Sequence, residues 1–360
     1  MSGTSMDGID AALVCLSSSQ PQLIATYGHS YPDYLQQQLA DAVKLDDPIT
    51  ADLAELNHAV GETFADAANE LLTRAGIKSR EIAAIGSHGQ TIRHAPNAPR
   101  PYSLQIGAPE VIAARTGIDV IADFRRADIE AGGQGAPLVP AFHKAVFSST
   151  AENRVIINIG GIANITVLPA DPTLPITGFD TGPGNTLMDQ WINEHLGSSM
   201  DYDGQWAAGG IVDNSLLARL LSEPYFSLAP PKSSGRELFN LQWLSIYLQK
   251  RDISPQDVQV TLCEFTAQSI ADAIRNHAAN TQRLLVCGGG AHNRELIRRL
   301  ENELNIRAVE STLAYGIDPD WVEAVAFAWL AKQALEGKPG NIPEVTGACY
   351  PVILGQVYRH

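Results

Sequence analysis

The sequence predicts an α/β protein built as two lobes, and three observations support this prediction. Strand-like and helical patterns alternate along the chain, as in the strand-like run 9–16 and the helical patterns 33–44 and 51–75. At 360 residues the chain exceeds what one hydrophobic core usually holds. The pattern restarts after about residue 150. We therefore predict an N-terminal lobe over residues 1–145 and a C-terminal lobe over residues 146–360.

The second half of the chain repeats the alternation of strands and helices. Residues 154–168 (RVIINIGGIANITVL) form two strand-like runs joined by a Gly-Gly turn. Helical patterns dominate residues 214–280, and the last long helix covers about 319–336. A turn of small residues followed by a strand thus opens each half, near residues 3 and 159. This repetition indicates that each lobe presents a Gly-rich turn to a shared cleft.

The composition excludes several classes of protein. Apolar residues make up 45% of the chain, which is enough for a sizeable core. The net charge of -15 argues against binding to nucleic acid or to an anionic membrane, and no apolar run approaches the roughly 18 residues of a membrane span. The scattered cysteines form no CxxC pair, which indicates reduced thiols, a cytoplasmic location and no zinc site. They are Cys15, Cys263, Cys287 and Cys349.

Three Gly-rich turns are candidates for binding a nucleotide, and the glycines of the third would let a flat aromatic ring lie against the backbone. They are GTSMDG at 3–8, the Gly-Gly turn at 160–161 and VCGGGAHN, whose glycines are 288–290. Glycine lets backbone N–H groups approach a phosphate closely, and Asp7 and Asp10 are near enough to hold Mg²⁺ or its waters. None is a P-loop, because GTSMDG lacks the lysine and precedes a strand. The alternatives are an ordinary hairpin turn for the first and close helix–strand packing for the third.

One carboxylate suits general base catalysis. In GFDTGPGN, Asp180 ends an apolar run, and glycines flank FDT. A carboxylate held in a cleft can accept a proton, whereas the alternative is an Asp that caps a turn or the following helix. An aspartic-protease dyad is excluded because the chain has no second matching motif.

Two polar clusters and one helical carboxylate suit the hydroxyl groups of a sugar. The clusters are GSHGQTIRH (86–94) and ADFRRADIEAGGQGAPL (122–138). The alternatives are a buried core histidine in the first and a surface ion pair in the second. The apolar-flanked Glu323 needs a partner, whether it is structural or faces the cleft. The candidate sugar ligands are His88, Gln90, Thr91, Arg125, Asp128, Gln134 and Glu323.

A basic turn stands out in this acidic chain. PPKSSGREL (230–238) carries Lys232 and Arg236 between prolines and a glycine. It fits a simple loop or a lid that contacts phosphate, and the sequence favours the loop.

The chain resembles the anhydro-N-acetylmuramic acid kinase family in seven ordered motifs from residue 1 to about residue 355. They are MSGTSMDGID, IGSHGQTIRH, DVIADFRRADIEAGGQGAPLVPAFH, NIGGIANIT, GFDTGPGN, VCGGGAHN and YGIDPDWVEAVAFAWLA. The family is similar to the sugar kinase, heat-shock and actin superfamily. The resemblance implies a two-lobed actin-like ATPase fold, each lobe a mixed sheet flanked by helices, with the active site in the interlobe cleft.

The resemblance also implies the chemistry. It implies that ATP and Mg²⁺ are the cofactors, that Asp180 is the catalytic base, and that Asp7 and Asp10 serve the metal. The substrate would be 1,6-anhydro-N-acetylmuramic acid, opened and phosphorylated on O6 to N-acetylmuramic acid 6-phosphate in cell-wall recycling. The residues expected to bind ATP are Gly3, Thr4, Ser5, Met6, Asp7, Gly8, Ile9, Asp10, Asn158, Gly160, Gly161, Asn164, Gly182, Gly184, Asn185, Gly288, Gly289, Gly290 and Asn293.

Three further expectations complete the prediction. Members of the family usually carry a short strand before MSGTS, so we expect the strand after this motif to have unpaired edge groups. We also expect a homodimer. The alternatives to the anhydro-sugar kinase are an ordinary hexose kinase and a non-catalytic, nucleotide-dependent binding module.

Overall fold

The apolar patterns of the sequence become strands and helices in the order predicted. The computed structural model describes residues 1–3, 6, 8–18, 20–45, 47–48, 52–235, 237–249, 252–305 and 309–360. The strands are β1 Gly8–Cys15, β2 Gln22–Ser30, β3 Ile85–Gly86, β4 Gln90–Ala95, β5 Tyr102–Ile106, β6 Val120–Ala122, β7 Arg154–Ile159, β8 Ile162–Leu168, β9 Thr177–Pro183, β10 Arg283–Cys287, β11 Val309–Ser311 and β12 Gln356–Tyr358. The helices are α1 Asp33–Ala42, α2 Ala54–Ala75, α3 Pro109–Thr116, α4 Arg126–Glu130, α5 Val139–Phe147, α6 Thr186–Leu196, α7 Gln205–Ala208, α8 Asn214–Leu221, α9 Leu241–Leu248, α10 Pro255–His277, α11 Arg294–Leu304, α12 Val322–Leu335 and α13 Pro343–Thr346.

The chain forms two units, and the second, Phe147–Asp320, contains a five-stranded mixed sheet. The strand order is β11-β10-β7-β8-β9. Strand β7 pairs in parallel with β10 and antiparallel with β8, and the β7–β8 hairpin turns at Gly160 and Gly161 as predicted. Parallel pairs next to a hairpin are typical of α/β layers, so the predicted fold class is confirmed for this unit.

The core of the second unit lies between this sheet and the long helix α10. Ser254 caps the N-terminus of α10 by accepting a hydrogen bond from the Asp257 amide, and Pro255 occupies the first turn. Ile157 of β7, Ile165 of β8 and Phe265 of α10 belong to one continuous buried cluster. This single cluster fixes the sheet edge that carries β9.

The first unit consists of Met1–Val146 together with Trp321–His360. Its sheets are smaller: β1 pairs with β2, β4 pairs with β5, and β6 lies between β3 and β12. Because β12 pairs antiparallel with β6, the chain returns to the first unit after Asp320. The predicted C-terminal lobe of 146–360 therefore differs from the structure in its last 40 residues.

Helix α12 ties the C-terminal segment to the strands of the first unit. A Cβ at Gly86 of β3 would lie 2.4 Å from the Phe327 carbonyl oxygen of α12, so the glycine permits close packing. The Phe327 ring meets Phe124 edge to face at 5.3 Å.

Two absences hold for the part of the chain that the structure describes. No helix in it is long and apolar enough to cross a membrane. No disulfide joins the four cysteines, all of which lie in the described ranges.

Candidate active site

Asp180 lies in β9 and is held by a single loop of the second unit. Its backbone amide donates to the Lys232 carbonyl at 3.2 Å, and the Tyr225 hydroxyl donates to the Asp180 carbonyl at 2.7 Å. The Ser234 amide donates to the carboxylate oxygen Oδ2 at 2.9 Å. Since Asp180 pairs with Asn164 of β8 as well, both its backbone and its side chain are fixed.

The electrostatics of Asp180 suit a proton acceptor. Burial raises the pKa of its carboxyl to about 6, the Ser234 amide opposes this rise, and the Glu237 carboxylate adds to it. With this pKa the group is mostly ionised at neutral pH and still basic enough to take a proton. Among the described residues no hydrogen bond reaches Oδ1, which leaves this oxygen for a water or a substrate.

Lys232 is held inside the same loop. Its Nζ donates to the carbonyls of Tyr225 and Phe226 at 3.3 and 3.4 Å and lies 4.7 Å from the centre of the Tyr225 ring. Burial lowers the pKa of Lys232. Arg236, the other cation of this predicted basic turn, lies outside the described residues. Lys232 therefore braces the loop that holds Asp180.

The Gly-rich turns of the second unit meet each other through their backbones. The amide of Gly184 donates to Gly161 at 2.9 Å, and that of Asn185 donates to Gly160 at 2.8 Å, so the start of α6 is joined to the β7–β8 turn. A Cβ at Gly184 would lie 2.3 Å from the Gly160 oxygen. At Gly288, where φ is +77°, a Cβ would lie 2.5 Å from the Asn158 oxygen Oδ1. Only glycine allows the backbone to come this close at Gly184 and Gly288. Several of the residues assigned to ATP therefore lie next to one another.

Other residues assigned to ATP serve the fold. Ile9 is buried in the core, and the Asn293 side chain caps α11 by accepting from the Leu296 amide at 3.0 Å. At Gly182 a Cβ would lie 2.8 Å from the Phe226 ring, so the position needs glycine. These residues can contact a nucleotide only through their backbones or after losing these partners.

The first Gly-rich turn is supported by Gln90. Met1 and Asp10 exchange two backbone hydrogen bonds of 2.8 Å. Gln90 Nε2 donates to the Gly3 carbonyl at 3.2 Å, and its Oε1 lies 2.7 Å from the Ser2 hydroxyl. Gln90 is only 1% exposed and holds the turn, so a sugar contact of Gln90, which stays a prediction, would have to replace one of these hydrogen bonds. Three residues assigned to ATP lie outside the described part of the chain: Thr4, Ser5 and Asp7.

His88 holds Arg125. Its Nδ1 lies 2.9 Å from the Gly89 carbonyl, to which it must donate, and its Nε2 accepts from Arg125 Nη2 at 2.9 Å. Burial and the neighbouring guanidinium place the pKa of His88 well below its usual range, so the ring is neutral. Both ring nitrogens are occupied within the protein, so a sugar contact of His88, which stays a prediction, would have to replace one of these hydrogen bonds.

Asp128 is also occupied within the protein. Its carboxylate is 0% exposed and accepts hydrogen bonds from the Gly135 amide, Asn341 and Thr346, each 2.7 Å long. All three donors to this carboxylate come from the protein. The prediction that Asp128 is a sugar ligand stays a prediction, and such a contact would require the loss of one of these donors.

The remaining sugar candidates of the first unit are less constrained. Arg125 stays cationic, since burial lowers its pKa only to about 10. Glu323, in the first turn of α12, has no hydrogen bond to any described residue. Burial raises the pKa of Glu323, and Arg125 opposes this rise. Gln134 is half-buried, and the Thr91 hydroxyl accepts from Gln105 at 3.2 Å.

A magnesium ion would find few protein ligands here. Within the described ranges no group of three or more His, Cys, Asp or Glu side chains could hold a metal. Mg²⁺ bound to a nucleotide needs only one or two carboxylates, because phosphates and waters complete its shell. Asp10, whose side chain is exposed on β1, fits that requirement, while Asp7 lies outside the described residues.

Comparison with known proteins decides the family. The profile of the anhydro-N-acetylmuramic acid kinase family matches residues 1–360. The chain belongs to this family. It is 51% identical over 358 residues to the anhydro-N-acetylmuramic acid kinase of Coxiella burnetii (strain RSA 493 / Nine Mile phase I), covering 99% of this chain and 96% of the relative. It is 52% identical over 360 residues to that of Shewanella baltica (strain OS223), with the same coverage. Membership makes the chain a sugar kinase, a phosphotransferase with an alcohol group as acceptor.

Solved structures resemble the chain only distantly. The activator of the 2-hydroxyisocaproyl-CoA dehydratase from Clostridium difficile has a TM-score of 0.44 at 12% identity, over 92% of this chain and 98% of that one. This likeness is too weak to bear on function.

Proposed function

We propose that this sugar kinase uses ATP to open the ring of 1,6-anhydro-N-acetylmuramic acid and to phosphorylate O6. The products are N-acetylmuramic acid 6-phosphate and ADP, and the role is recycling of cell-wall sugar. Family membership and the names of the relatives support the substrate. The observation that carries the mechanism is the Asp180 carboxylate, with its pKa of about 6, one oxygen bound by the Ser234 amide and the other available.

The reaction needs a base because the anhydro sugar has no free 6-hydroxyl. Asp180 takes a proton from a water whose oxygen attacks C1. The C1–O6 bond breaks, and the electron pair left on O6 forms the new bond to the γ-phosphorus of ATP. The bond from that phosphorus to the bridging oxygen breaks, and ADP leaves. The other water proton stays on the new C1 hydroxyl, so the atoms balance.

Phosphate binding falls to the Gly-rich turns. In the second unit, the backbone of Gly184 approaches Gly160 and that of Gly288 approaches Ile159, and a side chain at Gly184 or Gly288 would collide. The amides of Gly184 and Gly288 donate to Gly161 and Pro319, so contacts to phosphate would come from other amides of these turns. N–H groups exposed on such turns stabilise the charge of a transferring phosphoryl group. When bound, Mg²⁺ neutralises phosphate charge, and Asp10 would hold it.

We expect four polar residues of the first unit to bind the sugar, although Arg125 and Thr91 also form hydrogen bonds within the protein. Arg125 is a cation suited to the lactyl carboxylate of the substrate, and Glu323 is a carboxylate suited to hydroxyl or amide donors. Gln134 and Thr91 supply neutral hydrogen-bonding groups. His88 and Gln90 support this set through their hydrogen bonds within the protein.

The test follows oxygen from solvent into the product. Purified protein is given ATP, Mg²⁺ and 1,6-anhydro-N-acetylmuramic acid in ¹⁸O-labelled water, and ADP and the sugar are measured, the sugar by mass spectrometry. We expect one ¹⁸O at C1 for each phosphate on O6. A control adds N-acetylmuramic acid or glucose in place of the anhydro sugar. Efficient phosphorylation of those free sugars, with no turnover of the anhydro sugar, would instead establish an ordinary hexose kinase.

The cytoplasmic location and the homodimer remain predictions. Cell fractionation tests the first, and light scattering of the purified protein at several concentrations tests the second.

A further inference from the structure

Asp128 sits at a buried junction of the first unit. Its Oδ2 accepts from the Gly135 amide, and its Oδ1 accepts from Asn341 Nδ2 and the Thr346 hydroxyl. A buried carboxylate is tolerated only when such donors replace water. The junction thus depends on two residues that follow Asp128 by more than 200 positions.

Gly135 connects this junction to the sugar candidates. Its amide donates to Asp128, and its carbonyl accepts from Arg125 Nη1 at 2.8 Å. The Gly135 amide is therefore bound by the Asp128 carboxylate, and the Gly135 carbonyl is bound by the Arg125 guanidinium. Gly135 has φ of +69°, and a Cβ there would lie 2.9 Å from the Ile129 side chain, so the link needs glycine.

The C-terminal segment holds the same loop at further points. The Gln134 amide donates to the Thr346 carbonyl at 2.8 Å, and the Cys349 amide donates to Ala131 at 2.8 Å. A Cβ at Gly133 would lie 2.3 Å from Asp128 Oδ2, so the loop passes directly over the carboxylate. Arg125 in turn donates to His88, whose neutral ring completes the series.

We propose that Asp128, with Asn341 and Thr346, is a positioning residue for sugar binding. It fixes the Gly135 peptide, and that peptide holds the guanidinium of Arg125 in the orientation that receives the sugar. This inference rests on the proposed function, in which Arg125 binds the substrate. It assigns the C-terminal segment a part in substrate affinity.

The test removes one donor to Asp128 and keeps the side-chain volume. Thr346→Val should raise the KM for the anhydro sugar about five- to tenfold, which is less than the full contribution of one hydrogen bond to a charged group, because Asn341 still donates to the same oxygen. The KM for ATP and kcat should stay within about twofold of their original values. Thr346→Ser keeps the hydroxyl and should restore the KM. The matched control is Thr116→Val, because the buried Thr116 hydroxyl donates to the Ile112 carbonyl of its own helix.

A second readout does not depend on activity. The ¹⁵N resonances of the His88 ring report whether Nε2 still accepts from Arg125 in the substrate-free protein. Thr346→Val should shift them, and Thr116→Val should not. This separates failure of the positioning role from failure of the proposed reaction, which the labelled-water assay on the unaltered protein decides.

Two results would overturn the inference. One is a lower melting temperature for Thr346→Val with an unchanged sugar KM and an unchanged His88 spectrum, since the junction would then serve stability alone. The other is an equal rise in both KM values. If Thr346→Val does not fold, Asn341→Ser removes a different donor to the same oxygen and is judged by the same criteria.

Discussion

The two units build their sheets differently around similar hairpins. In the second unit, β7 lies between β8 and β10, so a hairpin and a parallel pair join into one five-stranded sheet. In the first unit, the β1–β2 hairpin and the β3–β6 parallel pair belong to separate sheets, and no described strand joins them. Among the described residues, Met1 exchanges two backbone hydrogen bonds with Asp10 of β1.

The cores differ in the same way. Among the described residues, Ile157, Ile165 and Phe265 of the second unit belong to one buried cluster, whereas Leu35 and Val60 of the first unit belong to a different cluster from Phe124 and Phe327. In the first unit, helices α2 and α12 both pack on β1. The comparison teaches that a hairpin and a parallel pair join into one sheet only where a central strand, such as β7, forms ladder hydrogen bonds along both of its edges.

The proposed base belongs to the continuous sheet, and its loss should have the largest effect. Asp180→Asn keeps the shape of the side chain but cannot accept the proton, so kcat should fall by about 10²- to 10⁴-fold. ATP affinity, measured by calorimetry, should be retained. The matched control is Asp171→Asn, since Asp171 is an exposed carboxylate in the same unit that only caps its own turn. Turnover near the original rate in Asp180→Asn would rule out the assignment.

Hydrogen exchange tests the sheet comparison itself. Amides of β1 and β2 should exchange at least about tenfold faster than those of β7 and β8, because a two-stranded ladder opens with less cost. The β4–β5 hairpin of the first unit serves as an internal reference and should exchange on the fast side too. If the amides of the β1–β2 hairpin were as well protected as those of the β7–β8 hairpin, the packing of α2 and α12 would replace the missing strand pairing.

The pH profile sharpens the assignment of Asp180. Burial raises its pKa from 3.8 to about 6, and the base works only when ionised, so kcat should fall about tenfold per pH unit below that value. The buried charge disfavours the folded state above pH 6, and this penalty disappears below the unfolded pKa. Asp180→Asn should therefore melt at a higher temperature than the original protein at pH 8 but not near pH 4. If kcat instead fell only below about pH 4, the raised pKa of the buried Asp180 would be contradicted.

The sequence predicts the strands and the long helices because these depend on local patterns, while the role of Asp180 stays a prediction. The sequence could not reveal Tyr225 and Ser234, which follow Asp180 by 45 and 54 positions and meet it only in the folded chain. The PPKSSGREL turn, which contains Ser234, stands out in the sequence, yet nothing in it indicates that it packs on the strand that carries Asp180.

The sugar candidates show a related limit of local patterns. Polar residues cluster in sequence around His88, Gln90 and Asp128, but clustering does not distinguish a group facing a ligand from one bound to the protein. The partners that decide the matter for Asp128 lie 213 and 218 positions away. The return of the chain to the first unit after Asp320 had no local signal either, since it depends on β12 pairing with β6.

The smallest predicted effect concerns how the second unit holds its base. Tyr225→Phe removes the hydroxyl that donates to the Asp180 carbonyl and leaves the ring in place. Since one neutral hydrogen bond contributes about 1 kcal/mol, kcat should fall roughly three- to tenfold with little change in either KM. The matched control is Tyr247→Phe, whose lost hydroxyl contacts Glu223. Both variants should lose stability, but only Tyr225→Phe should lose kcat. If the two lose kcat equally, the loop acts through general stability, and the fixed position of Asp180 must come from its pairing with β8 alone.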